Sequence, residues 1–477
     1  MTDIDRGAET SRRLRIRPPG RAVIIAGLVA LVAAAGPASA ETIPQPTRPG
    51  IEVRRVIATE AAAPSVRLVK DPRDDTLYVL KRNGDVLRVR IDPPATTTLY
   101  RTADHGIAVG AGLAIGPDGS LYLVGDERVG VAERRARIVR GVPSAGGRTW
   151  ATLALTDPYP RSNTPFSHSM NGIAVTPDGT SVLVASGSRT DHGEEASFDG
   201  RFPGLRETGL TSIILRLPAT ATGLVLPNDR ARLRTDGYLF AEGVRNTFDM
   251  AFAANGDLFG ADNGPSGDYP EELNWLRPGR HYGFPWTMGG LDNRQQFRDY
   301  DPSRDPLLNP VFSGVRDGFW YNDPTFPPRP AIVLTPPIAN AGPDADSFRA
   351  PATGALRDAS ALARTLRSFT AHRSPLGLVF DTEGTLPPPY RGTGFILGWT
   401  AGNVTGDAIP GPFNDAGEDL LHLVLTREAG PAGYRMSATR IVAGFNNPID
   451  AALVGSRLYV LDYGETQSIW EVRLPGS

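Results

Sequence analysis

The sequence predicts an all-β protein, a six-bladed β-propeller with long loop insertions, from three observations. An alternating apolar segment, a turn of the Pro-Asp-Gly or Asn-Gly type and a second apolar strand recur six times. Period-two patterning joined by tight turns builds antiparallel sheets, and irregularly spaced repeats of such units point to blades carrying inserted loops. The 53 Gly and 43 Pro make up a fifth of the 477 residues, below the roughly 25–30% of low-complexity chains, so they punctuate strands.

In chain order, Arg12, Arg13, Arg15, Arg17 and Arg21 precede an apolar run from Ala22 to Gly36 and then Ala38-Ser39-Ala40. This is the pattern of a cleaved export signal over residues 1–40. The run is shorter than the ~20 residues of a membrane span, so no integral membrane segment is expected after cleavage. Ser11-Arg12-Arg13 also suits a twin-arginine route. Either route implies a periplasmic or secreted protein. Residues 41–50 read as a leader and 51–477 as the propeller. The repeated units begin at Ser65, Gly112, Gly172, Asp249, Gly377 and Ile449. Asp292–Ala350, rich in Pro, Asp and Arg, is predicted to be a surface excursion. Asp358–Phe369 is the only stretch with a helical look.

Loss of residues 1–40 removes six Arg and three acidic residues, leaving 44 basic against 49 acidic. That balance opposes nucleic acid or an anionic membrane as the main partner. With no cysteine, no disulfide contributes to stability in an oxidising compartment. A chain this long stabilises itself by burying its core.

Residues suited to chemistry concentrate between His168 and Pro285. His168 lies in SHSMNGIAVTPDG, just ahead of the third unit's first strand. Arg245 and Asn246 lie in EGVRNTFDMAF. Asn263, Gly264 and Pro265 form a turn, followed by Glu271, Glu272 and Tyr282. Alone, such a His caps a strand end, an Arg-Asn pair braces a turn, and a Gly-Pro turn needs no metal. Glu271 and Glu272 suit a solvated acidic loop equally well. Asp191, His192, Glu194 and Glu195 offer a candidate metal cluster, although such loops are more often solvated.

The succession Arg-Asn, Asn-Gly-Pro, Glu-Leu-Asn and Tyr-Gly-Phe-Pro resembles the glucose/sorbosone dehydrogenase family, which includes soluble quinoprotein sugar dehydrogenases. His372-Arg373-Ser374-Pro375-Leu376-Gly377-Leu378 and the Tyr390-Arg391-Gly392 turn resemble its sorbosone-type branch. The resemblance implies a propeller that oxidises a sugar hydroxyl with pyrroloquinoline quinone (PQQ) and Ca²⁺, passing electrons to a quinone or cytochrome. His168, ten residues before Asp178, takes the place of the family's catalytic base. Arg245 takes that of the residue facing the quinone carbonyl, and Asn246 and Asn263 those of cofactor contacts. The Gly264 and Pro265 carbonyls correspond to calcium ligands, and Glu271, Glu272 and Tyr282 fall where some members place a second calcium.

Two departures weaken the match. The family meets the carboxylates of the quinone with a Lys and an Arg-x-Arg-Asp motif. Here those positions read Thr400-Ala401 and Asn447-Pro448-Ile449-Asp450, with Arg373 and Arg391 as candidate replacements. Phe248 also stands in place of a Gln. Two alternatives therefore stay open: a calcium-stabilised propeller that binds a glycan or protein without turnover, and a metal-dependent lactone hydrolase.

Overall fold

The computed structural model describes residues 42–59, 63–400, 413, 415, 417–464 and 466–476; the expected export signal lies outside them. The protein is an all-β propeller. Six strands, Ser65–Lys70, Gly110–Ile115, Met170–Val175, Thr247–Phe252, Pro375–Phe380 and Pro448–Val454, each begin a sheet of antiparallel strands, to which Leu224–Leu226 in the second and Ala339–Pro343 in the fifth add a parallel strand. They fall on the six repeated units of the sequence. Each touches the next, and the last touches the first, so they line a closed ring. Five of the sheets have at least four strands; the one that starts at Thr247–Phe252 has three.

Ring closure joins the two ends of the described chain. Glu52–Ala58 pairs antiparallel with Ser468–Arg473, completing the sheet of Pro448–Val454 and Arg457–Asp462. The alternating pattern places one row of each strand against the neighbouring sheet. Leu68, Leu80, Leu113, Leu123, Ile449 and Leu461, for example, share one buried cluster. Truncating such a side chain to Ala costs about 2–5 kcal/mol.

Every ring-lining strand carries an irregularity at the same place. Pairing with the second strand slips at Ser65/Arg67, Gly110/Gly112, Met170/Ile173, Thr247/Asp249, Pro375/Leu378 and Pro448/Asp450. Such bulges bend a strand and re-aim its side chains. The third residues, Arg67, Gly112, Gly172, Asp249, Gly377 and Asp450, consequently form one level of the tunnel. Glycine is required there by close approach: a Cβ at Gly112 would lie 2.2 Å from the Asn171 carbonyl oxygen.

At this level Arg67 crosses the tunnel, donating to the carbonyls of Phe248 (2.8 Å) and Asn171 (3.3 Å), with its guanidinium 3.7 Å from the Phe248 ring centre. Asp249 and Asp450 accept from the backbone N–H groups of Leu378 and Leu68 in the adjoining sheets, each at 2.8 Å. Beyond lies a cavity of about 310 Å³ lined by Leu68, Leu113, Ile173, Met250, Leu378 and Asp450.

Asp358–Phe369 corrects the sequence reading. Only Ser360–Leu362 is helical, a single 3-10 turn flanked by short strands. Asp346 and Asp358 cap its N–H groups, and Ala363, at φ 54°, ends it. The excursion after Asp292 packs on the loops of the third to fifth sheets. Trp320 stacks on His192 (3.6 Å) and Phe312 on His372 (3.7 Å). Among the described residues no helix is long and apolar enough to cross a membrane.

Candidate functional site

His168 stands where the chain enters the Met170–Val175 strand, half-buried at one mouth of the tunnel. Its Nδ1 is 3.2 Å from both the carbonyl oxygen and the hydroxyl of Ser188. The Ser188 hydroxyl already donates to the Thr190 carbonyl at 2.6 Å, so both oxygens can only accept from the ring. Nδ1 therefore carries the hydrogen and Nε2 presents a bare lone pair. Burial, reinforced by the Arg245 charge, pushes the imidazole down to about 3, so it is neutral at ordinary pH. Gly187 makes the room: a Cβ there would sit 2.5 Å from that of His168.

Arg245 and Asn246 enter the next strand, and their N–H groups donate to Asp262 at 2.9 and 2.5 Å. The guanidinium is fixed on three sides: Nε to the Asp191 carbonyl (2.7 Å), Nη2 to Asp191 Oδ1 (2.8 Å) and Nη1 to the Asn263 carbonyl (3.1 Å). Ser188 N–H donates to the Arg245 carbonyl at 2.6 Å. One residue thus ties His168 to Arg245, and the two predicted groups converge. A chain of amides continues the mouth, Asn171 to Asn246 (2.8 Å), Asn246 to Asn263 (3.0 Å) and Asn263 to the Pro375 carbonyl (2.9 Å).

Asp191, His192 and Glu194 are fully buried, which corrects the expectation of a solvated loop; Glu195 is exposed. Asp191 meets Arg245, the Ser266 N–H and His192 Nδ1 (3.0 Å), while Glu194 accepts from the N–H groups of Asp191 and His192. These carboxylates are committed to protein partners. Among the described residues no group of three or more His, Asp or Glu is arranged to hold a metal.

Glu271 and Glu272 are also buried, contrary to a solvated acidic loop. Burial pushes both carboxyls up to about 8. Glu272 accepts from Asn274 and the Gly289 N–H, whereas Glu271 Oε2 is buried without a partner and the Glu271 side chain lies against Gly264. Among the described residues no donor reaches the Gly264 or Pro265 carbonyl. Oxygen acceptors without donors suit a hard cation. The Tyr282 hydroxyl donates to the Trp275 carbonyl and accepts from the Arg277 N–H. Both of its bonds are thereby used within its own turn.

Neither candidate replacement cation is uncommitted at the mouth. Arg373 is buried against Asp415 and Asp419. Arg391 precedes Gly394–Gly398, which runs antiparallel to its ring-lining neighbour, and so belongs to the opposite end. Sequence reading missed Ser188, Asp191 as counter-ion to Arg245, and Asp262. Only the polarity of Arg189–Glu195 hinted at the second.

Residues 133–316, from within the second sheet to the excursion, match the family model described as Glucose / Sorbosone dehydrogenase. This segment carries a glucose/sorbosone dehydrogenase domain match. The resemblance read from the motifs is thereby shown, and the match contains His168, Arg245 and the Gly264-Pro265 turn. The fold is similar to that of the soluble aldose sugar dehydrogenase of Escherichia coli in its apo form, with TM-score 0.53 and 13% identity over 89% of this chain and 99% of that one. A putative oxidoreductase (glucose dehydrogenase) of Thermus thermophilus gives 0.50 and 18% over 89% and 100%. The PQQ domain of Coprinopsis cinerea pyranose dehydrogenase, in its holo form, gives 0.51 and 12% over 92% and 99%. At these identities the likenesses show the fold. No curated protein matches the sequence.

Proposed function

We propose that this protein is a PQQ- and calcium-dependent dehydrogenase that oxidises the hydroxyl of an aldose or sorbosone-like sugar. The observation that carries the reading is the bare Nε2 of His168 held beside the Arg245 guanidinium. Nε2 accepts the proton of the sugar hydroxyl as hydride leaves the same carbon, which becomes a carbonyl. Ser188 keeps the imidazole in the tautomer this requires. Arg245, held by Asp191, is positioned to stabilise negative charge growing on an acceptor oxygen. An anion bound nearby would offset the Arg245 charge and move the imidazole back toward its ordinary range.

The quinone, when bound, supplies the hydride acceptor and, through a quinone or cytochrome, the outlet for two electrons. Asn246 and Asn263 would contact it. The Gly264 and Pro265 carbonyls would hold Ca²⁺, which polarises a bound carbonyl. Glu271 is their acidic neighbour, whereas Glu272 and Tyr282 are left out of the set. We further read the six sheets as six blades, the sheet of Thr247–Phe252 lacking an outer strand, and infer export with residues 1–40 as the signal.

The test is reconstitution of the mature protein with Ca²⁺ and PQQ, following dye reduction over a sugar panel. Sugar-dependent turnover that disappears in His168→Ala supports the dehydrogenase. Tight glycan binding without turnover, or lactone cleavage without quinone, would replace it with one of the alternatives.

A further inference from the structure

A planar ligand carrying several carboxylates needs a cation that protein acids have not already neutralised, because burying an unpaired charge is costly. Arg134 donates to Asp126 and to the Ser167 and His168 carbonyls. Arg245 is paired with Asp191, and Arg373 with Asp415 and Asp419. Arg67, 2% exposed, lies beneath the mouth between Asp249 and Asp450. Arg82 differs from all four. It is half-buried, its one side-chain hydrogen bond among the described residues runs from Nη1 to the Gly110 carbonyl at 2.9 Å, and the carboxylate that acts on it electrostatically, Asp126, forms its ion pair with Arg134 instead. Burial, the largest influence on it, lowers its pKa.

The bulged pairing defines where Arg82 sits. In each sheet the first residue of the ring-lining strand pairs with a residue of the second strand: Ser65 with Lys81, Gly110 with Gly125, Met170 with Ser186, Thr247 with Asp262, Pro375 with Gly398 and Pro448 with Asp462. The next residue in each case forms the rim: Arg82, Asp126, Gly187, Asn263, Trp399 and Tyr463. Arg82 is therefore three sheets from Asn263, across the mouth. Gly187 leaves space for His168 on one side. On the other, Trp399 and Tyr463 make an edge-on aromatic contact with ring centres 6.2 Å apart, and Tyr463 lies within electrostatic reach of Arg82.

We propose that Arg82, backed by Tyr463 and Trp399, binds a carboxylate of a planar, aromatic or quinonoid polycarboxylate, whose other end lies toward Asn263 and Arg245. The inference rests on the quinone reading above and adds the cation that the positions around Thr400 and Asn447 lack.

The test is titration of the full-length mature protein with PQQ in Ca²⁺, read by tryptophan fluorescence and quinone absorbance rather than by turnover. Arg82→Gln weakens binding by about 10- to 100-fold, the loss of one charge-assisted hydrogen bond, and flattens its salt dependence. Arg82→Lys falls between Arg82→Gln and the parent, because a point charge lacks the planar fork. Arg391→Gln, at the opposite end, leaves affinity unchanged. Arg82→Met keeps the packing of the stem and decides the matter where Arg82→Gln does not fold. A folded Arg82→Gln or Arg82→Met protein that binds within about threefold of the parent overturns the assignment of Arg82 alone. Failure of the parent protein to bind overturns the quinone reading and this inference with it.

Discussion

Replacing Asp191 with Asn tests whether the candidate site is built around a buried ion pair. The side chains of Asp191 and Arg245 are 0% and 8% exposed, 2.8 Å apart. At an effective dielectric of about 20, Coulomb attraction at that distance is about 6 kcal/mol. Asn keeps an oxygen for Arg245, but its amide hydrogens then face His192 Nδ1, now 3.0 Å from Oδ2, or the Ser266 N–H. The expected net loss is about 3–5 kcal/mol, the cost of stranding a buried charge. Urea unfolding followed by tryptophan fluorescence measures it. A cycle with Arg245→Gln should show the double variant less destabilised than the sum of the singles, by about 0.5–3 kcal/mol. A loss below about 0.5 kcal/mol for Asp191→Asn, the range of surface changes, would refute the buried pair and the positioning of Arg245 derived from it.

In the calcium-free protein, Glu271→Gln should raise stability above neutral pH. A carboxyl pushed up to about 8 keeps its proton when folded but loses it near 4.3 when unfolded. Its contribution therefore falls as pH rises from about 4 to 8, and the neutral amide removes that slope in pH-resolved urea melts. The His168 contribution has the opposite sign. Its folded value near 3 lies below the unfolded ~6.5, so stability falls as pH drops between those values, and His168→Gln should remove that part of the acid destabilisation. Gly187→Ala should cost about 1–3 kcal/mol and displace the imidazole, seen as a changed His168 NMR titration, because the new methyl meets the His168 Cβ at 2.5 Å.

The repeating units were legible because each rests on local chemistry, a period-two strand and a turn. His168 and Arg245 were legible by motif. Their partners were not, since Ser188 and Asp191 reach them through a loop whose path depends on tertiary packing. Polarity misled at Asp191–Glu194 and at Glu271-Glu272. Acidic runs are usually solvated, but here backbone N–H groups and an Arg stabilise the first, and burial keeps the second protonated. The helical pattern at Asp358–Phe369 failed because Asp caps and a left-handed Ala cut it after one turn. The sheet slips at Ser65/Arg67 and its counterparts had no sequence signal, because residues as different as Arg, Gly and Asp occupy the same level.

Sealing the ring with Glu52–Ala58 against Ser468–Arg473 has a kinetic price. Glu52–Ala58 is synthesised well before its partner and must wait, unpaired, until Ser468–Arg473 has followed. Contacts between such distant residues are slow to form, and a waiting edge invites association with other molecules. Shortening either terminus past these strands should therefore give a molecule that opens at one seam while its remaining sheets stay stacked.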